Sequence, residues 1–436
     1  MTLQEIQKRT VQFQANRFGM FIHFGLYTSA SFDPWLKSMK EMSDEQYQMY
    51  FDAFNPEQFD ARAICRLAKQ AGMKYVVMTT KHHEGFCMFD SKYTEYNSVH
   101  APCKRDLVRE FVDACREEGL MVGLYYSLID WHHPDFFMYG DAIHPRRNDI
   151  TAKDLNQDFD RYRQYMFNQI RELCTNYGKI DIMWFDFTYG DKTSDTWNAA
   201  ELVKMVRSYQ PDVIIDNRLE TSGGGMGSII TEHPNDFCGD FVSPEMVIPP
   251  YGVRNYAGEP VPWECCATIN NNWGYCIQDK EYKTAKTLIR KLVECVSKGG
   301  NLLLDVGPDP KGRIDPPSTR VLTEIGKWMQ DNSASIYGCG RSEYPKPEWG
   351  RYTQRGNVVY AHVLEQQMGP IALTGIPKEK IRYVKYLGSN IFLQQADTWV
   401  VGSYKDTYFV TLGDVPHFTY ELYDEIDTVL EITLNE

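Results

Sequence analysis

Residues 59–80, "FDARAICRLAKQAGMKYVVMTT", contain the unit from which most of this chain is built. Apolar residues from Ile64 to Ala71 recur at helical spacing, which predicts an amphipathic helix that Gly72 ends. The apolar strand "KYVVMTT" follows at residues 74–80. This order of helix, glycine and apolar strand is typical of α/β folds with a parallel sheet.

The same plan recurs further along the chain, at residues 105–127, 158–186, 196–217 and 286–308. Strands that are apolar throughout indicate a parallel sheet covered on both faces. The units are unevenly spaced, and no phosphate-binding glycine motif follows the first strand, "MFIHFGL" at residues 20–26. We therefore predict a TIM-like (β/α) barrel with long insertions at residues 26–58 and 219–280.

The pattern changes near residue 340. Residues 340–357, "GRSEYPKPEWGRYTQRGN", are rich in proline and glycine and suggest a linker. Short alternating runs follow, which are typical of antiparallel strands. We predict two domains, a catalytic barrel at residues 1–340 and a C-terminal antiparallel β-sandwich at residues 341–436.

Composition limits the classes of function. The formal net charge of −13 and the pI near 5.3 argue against nucleic acid or an anionic membrane as partner. No apolar run approaches the roughly 18 residues that a membrane span needs. Aromatic residues make up 14% of the chain, and their grouping with Asp, His and Gly suits a ligand with both CH faces and hydroxyls.

The eleven cysteines are scattered and lack C-x-x-C spacing, which favours free thiols over a disulfide framework or a zinc cluster. The N-terminus shows neither a charged leader region nor a hydrophobic segment. We expect a cytoplasmic protein that needs no cofactor. The sequence leaves the oligomeric state open, with a homo-oligomer as one alternative.

Polar residues stand at the end of nearly every predicted barrel strand, where catalytic groups of such barrels lie. They are His23; His82, His83 and Glu84; Tyr125, Tyr126, Asp130, Trp131 and His132; Trp184 and Asp186; and Asp216, Asn217 and Arg218.

Two readings of the histidines compete with a ligand pocket. His82 and His83 could be loop caps that bond only the backbone. His23, His82 and Asp186 could instead converge on a divalent metal ion, although adjacent histidines do not point to one face of a strand.

Glycosidic cleavage needs a pair of carboxylates, because one stabilises an oxocarbenium-like transition state while the other protonates the leaving oxygen. Asp186 ends the apolar strand of "IDIMWFD", where a buried carboxylate is costly unless it is paired or used. It is our candidate nucleophile. Spacing alone leaves the acid open among Glu232, Glu245 and Glu264.

Six segments closely resemble the α-L-fucosidases of glycoside hydrolase family twenty-nine. They are "RFGMFIHFGLY", "KYVVMTTKHHEGFCMFDSKYTEYNSV", "KRDLVREFVDACREEGLMVGLYYS", "DWHHPD", "IDIMWFD" and "NNWGY", in order between residues 17 and 275. The resemblance implies a distorted barrel followed by a β-sandwich. It also implies metal-free, retaining hydrolysis of terminal α-linked L-fucose.

The resemblance also implies residue roles. Asp186 matches the nucleophile, and Glu245 of "DFVSPE" matches the acid/base, with Glu232 as the alternative and Glu264 more typical of a structural residue. Side chains that match the sugar-binding set are His23, His82, His83, Tyr125, Trp35, Trp184, Arg218 and Trp273.

This chain departs from the family at "SFDPWLKS", residues 31–38, where Pro34 precedes Trp35 and many relatives have a glutamate. Asp33 or Glu41 are the candidates to replace that carboxylate. The expected substrate is a fucosylated oligosaccharide or glycoconjugate. The alternatives are a related L-sugar such as an α-L-galactoside, or a catalytically silent sugar-binding protein.

Overall fold

A computed structural model describes residues 2–389, 391–413 and 421–435 of the chain. Residues 390, 414–420 and 436 of the predicted sandwich domain and residue 1 of the predicted barrel domain lie outside the described residues. The α-helices are α1 Leu3–Asn16, α2 Leu26–Ser29, α3 Leu36–Met39, α4 Asp44–Ala53, α5 Ala61–Gln70, α6 Leu107–Glu118, α7 Phe159–Asn176, α8 Ser194–Trp197, α9 Ala199–Tyr209, α10 Ala285–Ser297 and α11 Pro316–Asn332.

The strands fall into a parallel and an antiparallel group. The parallel strands are β1 Phe18–Ile22, β2 Tyr75–Lys81, β3 Met121–Ser127, β4 Ile182–Asp186, β5 Ile214–Ile215, β6 Glu264–Thr268 and β7 Asn301–Val306. The others are β8 Gly340–Arg341, β9 Gly350–Arg355, β10 Val358–Val363, β11 Ile371–Pro377, β12 Ile381–Tyr386, β13 Phe392–Leu393, β14 Thr407–Val410 and β15 Thr428–Leu434. Short 3-10 turns lie at Ile150–Asp154, Gly223–Gly225, Ser228–Ile230, Ser333–Ser335, Lys378–Lys380 and Val401–Ser403.

The long helices begin at side-chain caps that the sequence encodes. Asp60 accepts a hydrogen bond from the Ala63 amide at the start of α5, and Asp106 accepts one from the Arg109 amide at the start of α6. Such a cap typically contributes about 1 kcal/mol, because it satisfies an amide that has no partner within the helix. Gly119 ends α6 in the left-handed conformation, with φ 71°. Local chemistry therefore sets the boundaries of the repeating units.

The seven parallel strands form one curled sheet in the order β5-β4-β3-β2-β1-β7-β6. Between its two edge strands runs a segment of irregular chain, residues 241–245, here called the bridging segment. Parallel bridges join it to both sides, Asp216 to Phe241 on one and Val242 to Trp263 and Glu245 to Cys266 on the other. A curled parallel sheet with its carboxyl ends gathered at one rim is therefore confirmed.

Side chains alternate along each strand, so every second residue points into the curl. One buried cluster contains Phe21, Tyr75, Tyr125, Trp184 and Leu303 from five different strands. Gly19 makes room for this packing, because a Cβ on it would lie 2.2 Å from the Tyr75 ring. The alternation continues to the strand ends, which carries polar residues such as Asp186 to the inner face of the rim.

The antiparallel group consists of a six-stranded sheet, β13-β12-β15-β10-β9-β8, and the two-stranded sheet β11-β14. Both contribute to one core, with Val359 and Ile432 from the larger sheet and Leu373 and Val410 from the smaller. The predicted all-β character of this region is thus confirmed.

Two predictions about the chain's organisation were wrong in part. The insertion predicted at residues 219–280 contains strand β6, whose sequence "ECCAT" lacks the run of large apolar residues by which the other strands are recognised. The linker predicted at residues 340–357 contains β8 and β9, because the ladder bonds of β9 to β10 and of β8 to β9 outweigh the local proline and glycine content.

All eleven cysteines lie in the described residues and have free thiols. None of the described helices combines the length and apolar character needed to cross a bilayer.

Candidate active site

The carboxyl ends of the parallel strands surround a solvent-accessible cavity of about 80 Å³, here called the sugar pocket after the ligand that the sequence predicts. All ten residues that the sequence assigned to catalysis and sugar binding line it: His23, Trp35, His82, His83, Tyr125, Trp184, Asp186, Arg218, Glu245 and Trp273. Four further lining residues are Phe21, Pro34, Phe187 and Cys266. The common rim of the strands gathers most of these side chains, while Trp35, Glu245 and Trp273 come from segments between the strands.

Two carboxylates meet at one guanidinium. Nη1 of Arg218 donates to Oδ1 of Asp186 at 2.9 Å, and Nη2 donates to Oε2 of Glu245, also at 2.9 Å. Tyr125 donates its hydroxyl to the other oxygen of Asp186 at 2.8 Å. Asp186 is therefore oriented by two donors, while Glu245 keeps 43% of its side chain exposed at the mouth of the pocket.

Arg218 is itself held firmly. Its Nε donates to the Ser243 hydroxyl at 3.0 Å, and its guanidinium lies 4.4 Å from the centre of the Trp184 ring. Burial alone would lower the pKa of Arg218, but Asp186 and Glu245 outweigh it and raise that pKa well above its ordinary value. The guanidinium is a permanent cation that keeps the two carboxylates side by side.

Each pocket histidine has its Nδ1 turned toward a neighbour behind the pocket wall. Nδ1 of His23 lies 2.6 Å from Oδ1 of Asp305, a buried carboxyl group at the end of β7. Burial raises the pKa of Asp305, although the adjacent His23 partly offsets this effect. Nδ1 of His82 lies 3.6 Å from the buried Glu84 carboxylate. These contacts leave the Nε2 atoms for a ligand in the pocket.

The tautomer of His83 follows from its partner. Ser127 uses its single hydroxyl hydrogen to donate to the Ile129 carbonyl at 2.9 Å, so its oxygen must accept from Nδ1–H of His83, 2.8 Å away. Burial, assisted by the neighbouring histidines, lowers the pKa of His83 well below its usual value. Neutral His83 therefore presents Nε2 as an acceptor, 4.0 Å from Asp186.

Aromatic rings form the apolar walls. Trp273 lies 5.0 Å from the His23 ring, and Trp35 lies 5.1 Å from the His83 ring, measured between ring centres. The polar groups of the pocket thus alternate with rings. A ligand with hydroxyls on one side and CH groups on another would match both kinds of wall.

The two alternative acids occupy different places. Glu232 is exposed and is not among the residues that line the sugar pocket. Glu264 is completely buried beneath the pocket, where it accepts a hydrogen bond from the Tyr75 hydroxyl and lies 3.4 Å from the Trp184 indole nitrogen. Neither position allows contact with a ligand in the pocket, whereas Glu245 lines it.

Glu264 predicts a pH-dependent stability. Burial raises its pKa from about 4.5 to about 7, so the folded protein binds this proton more tightly than the unfolded chain. The free energy of unfolding should therefore fall as pH rises from 4.5 to 7, by about 3 kcal/mol, and level off above 7. Glu264→Gln cannot ionise. We therefore expect the Tm of this variant, relative to that of wild type, to increase by a few degrees as the pH rises from 4.5 to 8.

The measurement is thermal unfolding of both proteins across this pH range. Glu232→Gln, at an exposed site, is the matched control and should follow wild type. Parallel Tm curves for wild type and Glu264→Gln would contradict a raised pKa at Glu264.

Comparison with known proteins gives a consistent result. A family model described as alpha-L-fucosidase matches residues 1–334. The solved structure of alpha-L-fucosidase isoenzyme 1 from Paenibacillus thiaminolyticus has a TM-score of 0.95 and 49% identity, with 100% of both chains covered. An alpha-L-fucosidase of Dictyostelium discoideum is 30% identical over 80% of this chain and 76% of its own length.

The chain belongs to the α-L-fucosidase family. The resemblance read from the six motifs and the predicted class of enzyme are both confirmed. A further solved relative, a glycoside hydrolase family twenty-nine α-L-fucosidase from Bacteroides thetaiotaomicron, has a TM-score of 0.83 and 29% identity over 98% of this chain and 96% of its own. That structure is a trapped covalent intermediate formed with 2-fluoro-fucosyl fluoride by a glutamate-to-glutamine variant.

The sequence analysis missed several residues that orient the side chains lining the sugar pocket. Asp305, which contacts His23, is the penultimate residue of the apolar strand "NLLLDV" and carries the same signal that pointed to Asp186. Ser127 and Ser243 gave no such signal, because serine is common both at strand ends and in irregular segments. Their importance depends on the side chains that the fold brings to them.

The structure also shows the surroundings of Pro34, the position at which this sequence departs from the family pattern. Pro34 lines the pocket next to Trp35, while Asp33 uses its carboxylate to cap the Trp35 amide at 2.8 Å. Glu41 pairs with Arg147 at 2.8 Å. Neither Asp33 nor Glu41 is among the residues that line the pocket, so neither supplies the carboxylate that many relatives are expected to have there.

The alternative of a metal site gains no support from side-chain geometry. In the described part of the chain, no three His, Cys, Asp or Glu side chains are arranged to hold a metal ion. His23 and Asp186 are instead engaged with Asp305 and with Arg218 and Tyr125.

Proposed function

We propose that this protein is a retaining exo-glycosidase that releases terminal α-linked L-fucose from oligosaccharides or glycoconjugates. The observation that carries the proposal is the pair Asp186 and Glu245 on the two terminal nitrogens of Arg218, where both line the sugar pocket. Retaining enzymes need two carboxyl groups about 5–5.5 Å apart, and adjacent nitrogens of one guanidinium favour such a spacing.

In the first step, a carboxylate oxygen of Asp186 attacks the anomeric carbon. The glycosidic C–O bond breaks as the new bond forms, and Glu245 gives a proton to the departing oxygen. Tyr125 and Arg218 hold the attacking carboxylate in position. The product is a fucosyl ester of Asp186, and the leaving group departs as an alcohol.

In the second step, Glu245, now a carboxylate, takes a proton from a water molecule. The hydroxyl oxygen attacks the anomeric carbon, the bond to Asp186 breaks, and fucose leaves with its original anomeric configuration. Glu245 is the carboxylate that remains partly exposed, so water can reach it. The covalent intermediate of the Bacteroides thetaiotaomicron relative supports a mechanism of this kind.

The pocket suits a 6-deoxy sugar. The Nε2 atoms of His23, His82 and His83 face hydroxyls, and His83 accepts from one of them. Phe21, Trp35 and Trp273 offer apolar surface for the ring and the methyl group. An α-L-galactoside differs by one C6 hydroxyl and is the competing substrate, while a silent binding protein is the alternative without catalysis.

The architecture proposed for this activity is a closed (β/α) barrel with a C-terminal β-sandwich. The three parallel bridges of segment 241–245 support closure of the barrel, and the common core of the two antiparallel sheets supports a sandwich. A cytoplasmic location, the exclusion of nucleic acid and membrane partners, and the oligomeric state stay predictions.

The test is turnover of 4-nitrophenyl α-L-fucoside and its α-L-galactoside counterpart, with and without a chelator. We expect fucoside hydrolysis that the chelator does not change, with little turnover of the galactoside. Proton NMR during the first minutes should show α-L-fucose before mutarotation. Release of β-L-fucose first would contradict retention, loss of activity with chelator would favour a metal, and no turnover would favour a binding protein.

A further inference from the structure

A cavity of about 290 Å³, here called the junction cavity, lies where the parallel-sheet part of the chain meets the antiparallel strands. The end of α10 and the loop at residues 250–252 border it on one side. Strands β8 and β9 and the turn between them border it on the other. None of its lining residues also lines the sugar pocket, so the two cavities are separate.

Four cations and no carboxylate are among the described residues that line the junction cavity. The cations are Lys298, Arg341, Lys346 and Arg351. The chain as a whole has a formal net charge of −13, so this concentration of positive charge runs against the general charge of the molecule. A cavity lined by one sign of charge attracts a ligand of the opposite sign, which here is an anion.

Two of the four cations are held in place by one carboxylate that does not itself line the cavity. Oε1 of Glu294 lies 2.7 Å from Nζ of Lys298 and 3.1 Å from Nη2 of Arg351. The other oxygen of Glu294 pairs with Lys291 at 3.0 Å. Burial alone would raise the pKa of Glu294, but the three cations outweigh it and lower that pKa to about 2. One negative charge therefore serves three positive ones, which leaves positive charge uncompensated at the cavity wall.

The other two cations have no carboxylate partner within the described ranges of the chain. Arg341 donates Nη1 to the carbonyl oxygen of Tyr251 at 3.4 Å, and Lys346 has no polar side-chain contact there. Fastening the two parts of the chain together accounts for the pairs on Glu294, but it does not account for Arg341 and Lys346. Both side chains are exposed at the border of the junction cavity, so their charges are available to a ligand.

Rings supply much of the remaining wall. Tyr251, which is 79% exposed, and the partly buried Tyr344 line the cavity together with Pro250 and Pro345. A tyrosine ring can pack on the CH face of a sugar while its hydroxyl bonds to a sugar hydroxyl. The volume of about 290 Å³ is at the lower limit of about 300 Å³ for ligand sites, which suits one ring rather than a longer chain. An inorganic anion would leave these rings without a contact.

We propose that the junction cavity binds an acidic sugar residue, a single ring that carries a carboxylate or a sulfate group. The anionic group pairs with Arg341 and Lys346, and the ring packs on Tyr251. A polyanion such as nucleic acid is disfavoured, because the net charge of −13 repels it from the rest of the surface. The inference goes beyond the proposed function and does not depend on it, since it requires no residue of the sugar pocket.

The test is isothermal titration calorimetry of wild type at low salt with galacturonate, galactose 6-sulfate, galactose and inorganic sulfate. We expect the better bound of the two acidic sugars to bind about tenfold or more tightly than galactose and inorganic sulfate, because only an acidic sugar uses both the cations and the rings. Which acidic sugar binds better identifies the anionic group as a carboxylate or a sulfate. Equal affinity for galactose would overturn the role of charge, and equal affinity for inorganic sulfate would overturn the role of the ring.

Lys346→Glu tests where the acidic sugar binds. The substitution reverses an exposed charge at the border of the cavity, so the fold should persist while the affinity for that sugar falls about tenfold or more. Lys327→Glu, at an exposed lysine of α11 that does not line the cavity, is the matched control and should bind as wild type does. Unchanged binding by Lys346→Glu, or an equal loss in both variants, would overturn the assignment.

Tyr251→Ala tests the contact with the ring. We expect it to weaken binding of the acidic sugar about fivefold, which is the effect of losing one aromatic contact. Tyr256→Ala removes an exposed tyrosine further along the same loop, outside the cavity, and should have no effect. Equal binding by Tyr251→Ala and wild type would overturn the packing of the sugar on this ring. Because the readout is binding rather than hydrolysis, failure of the proposed function would leave this test intact.

Discussion

Asp186→Gly should reduce kcat for 4-nitrophenyl α-L-fucoside by about 10⁴-fold or more, because the first covalent bond of the reaction cannot form without this carboxylate. Arg218 keeps Glu245 and Ser243 as partners, so the pocket should persist. The variant also leaves a space where a small anion can enter. Added sodium azide should restore turnover and yield β-L-fucosyl azide, since azide attacks from the face that Asp186 occupied.

The measurement is initial rates with and without azide, together with circular dichroism and Tm. Asp397→Gly, at an exposed aspartate among the antiparallel strands, is the matched control and should stay within twofold of wild type. Retained activity in a folded Asp186→Gly protein would refute the assignment. An azide product of α configuration would refute its place opposite the leaving group.

Glu245→Gln should lower kcat/KM by roughly 10²–10⁴-fold for fucosyl disaccharides, whose leaving oxygens need a proton. The effect on fucosyl fluoride should be much smaller, because fluoride leaves with little help from an acid and kcat/KM reports the first step. The amide oxygen of Gln can still accept from Arg218, so the geometry of the site is kept. The signature is therefore a steep dependence on the leaving group, which a merely structural role would not produce.

Glu232→Gln is the matched comparison, since Glu232 was the alternative acid and is exposed outside the sugar pocket. It should behave as wild type with both substrates. If Glu232→Gln lost disaccharide activity and Glu245→Gln did not, the two assignments would have to be exchanged.

Strand and helix patterns predicted most of the parallel sheet. Residues 121–127 form β3 as expected, and the helix read from residues 59–72 is α5, Ala61–Gln70. Strand β6 was missed because its sequence "ECCAT" contains a glutamate and an alanine, which are depleted in strands, and no large apolar residue. Its neighbours β7 and the bridging segment hold it in the sheet.

The acid/base residue could not be identified from the local sequence pattern. Asp186 could be proposed from the residues alone, since a carboxylate at the end of an apolar strand is costly to bury without use. Three glutamates in a long insertion could not be ranked by spacing, and only the family resemblance favoured Glu245. In the structure the bridge from Glu245 to Cys266 lays the bridging segment along β6 and brings this glutamate to Arg218.

The sequence by itself determined the repeating helix and strand units, the family and the polar strand ends, because these depend on periodicity and on residues adjacent in the chain. Only the tertiary structure decided which groups face one another. Arg218 joins carboxylates from β4 and the bridging segment, and Ser127 sets the tautomer of His83. These contacts link residues that are far apart in the chain, and they form only when the sheet has curled.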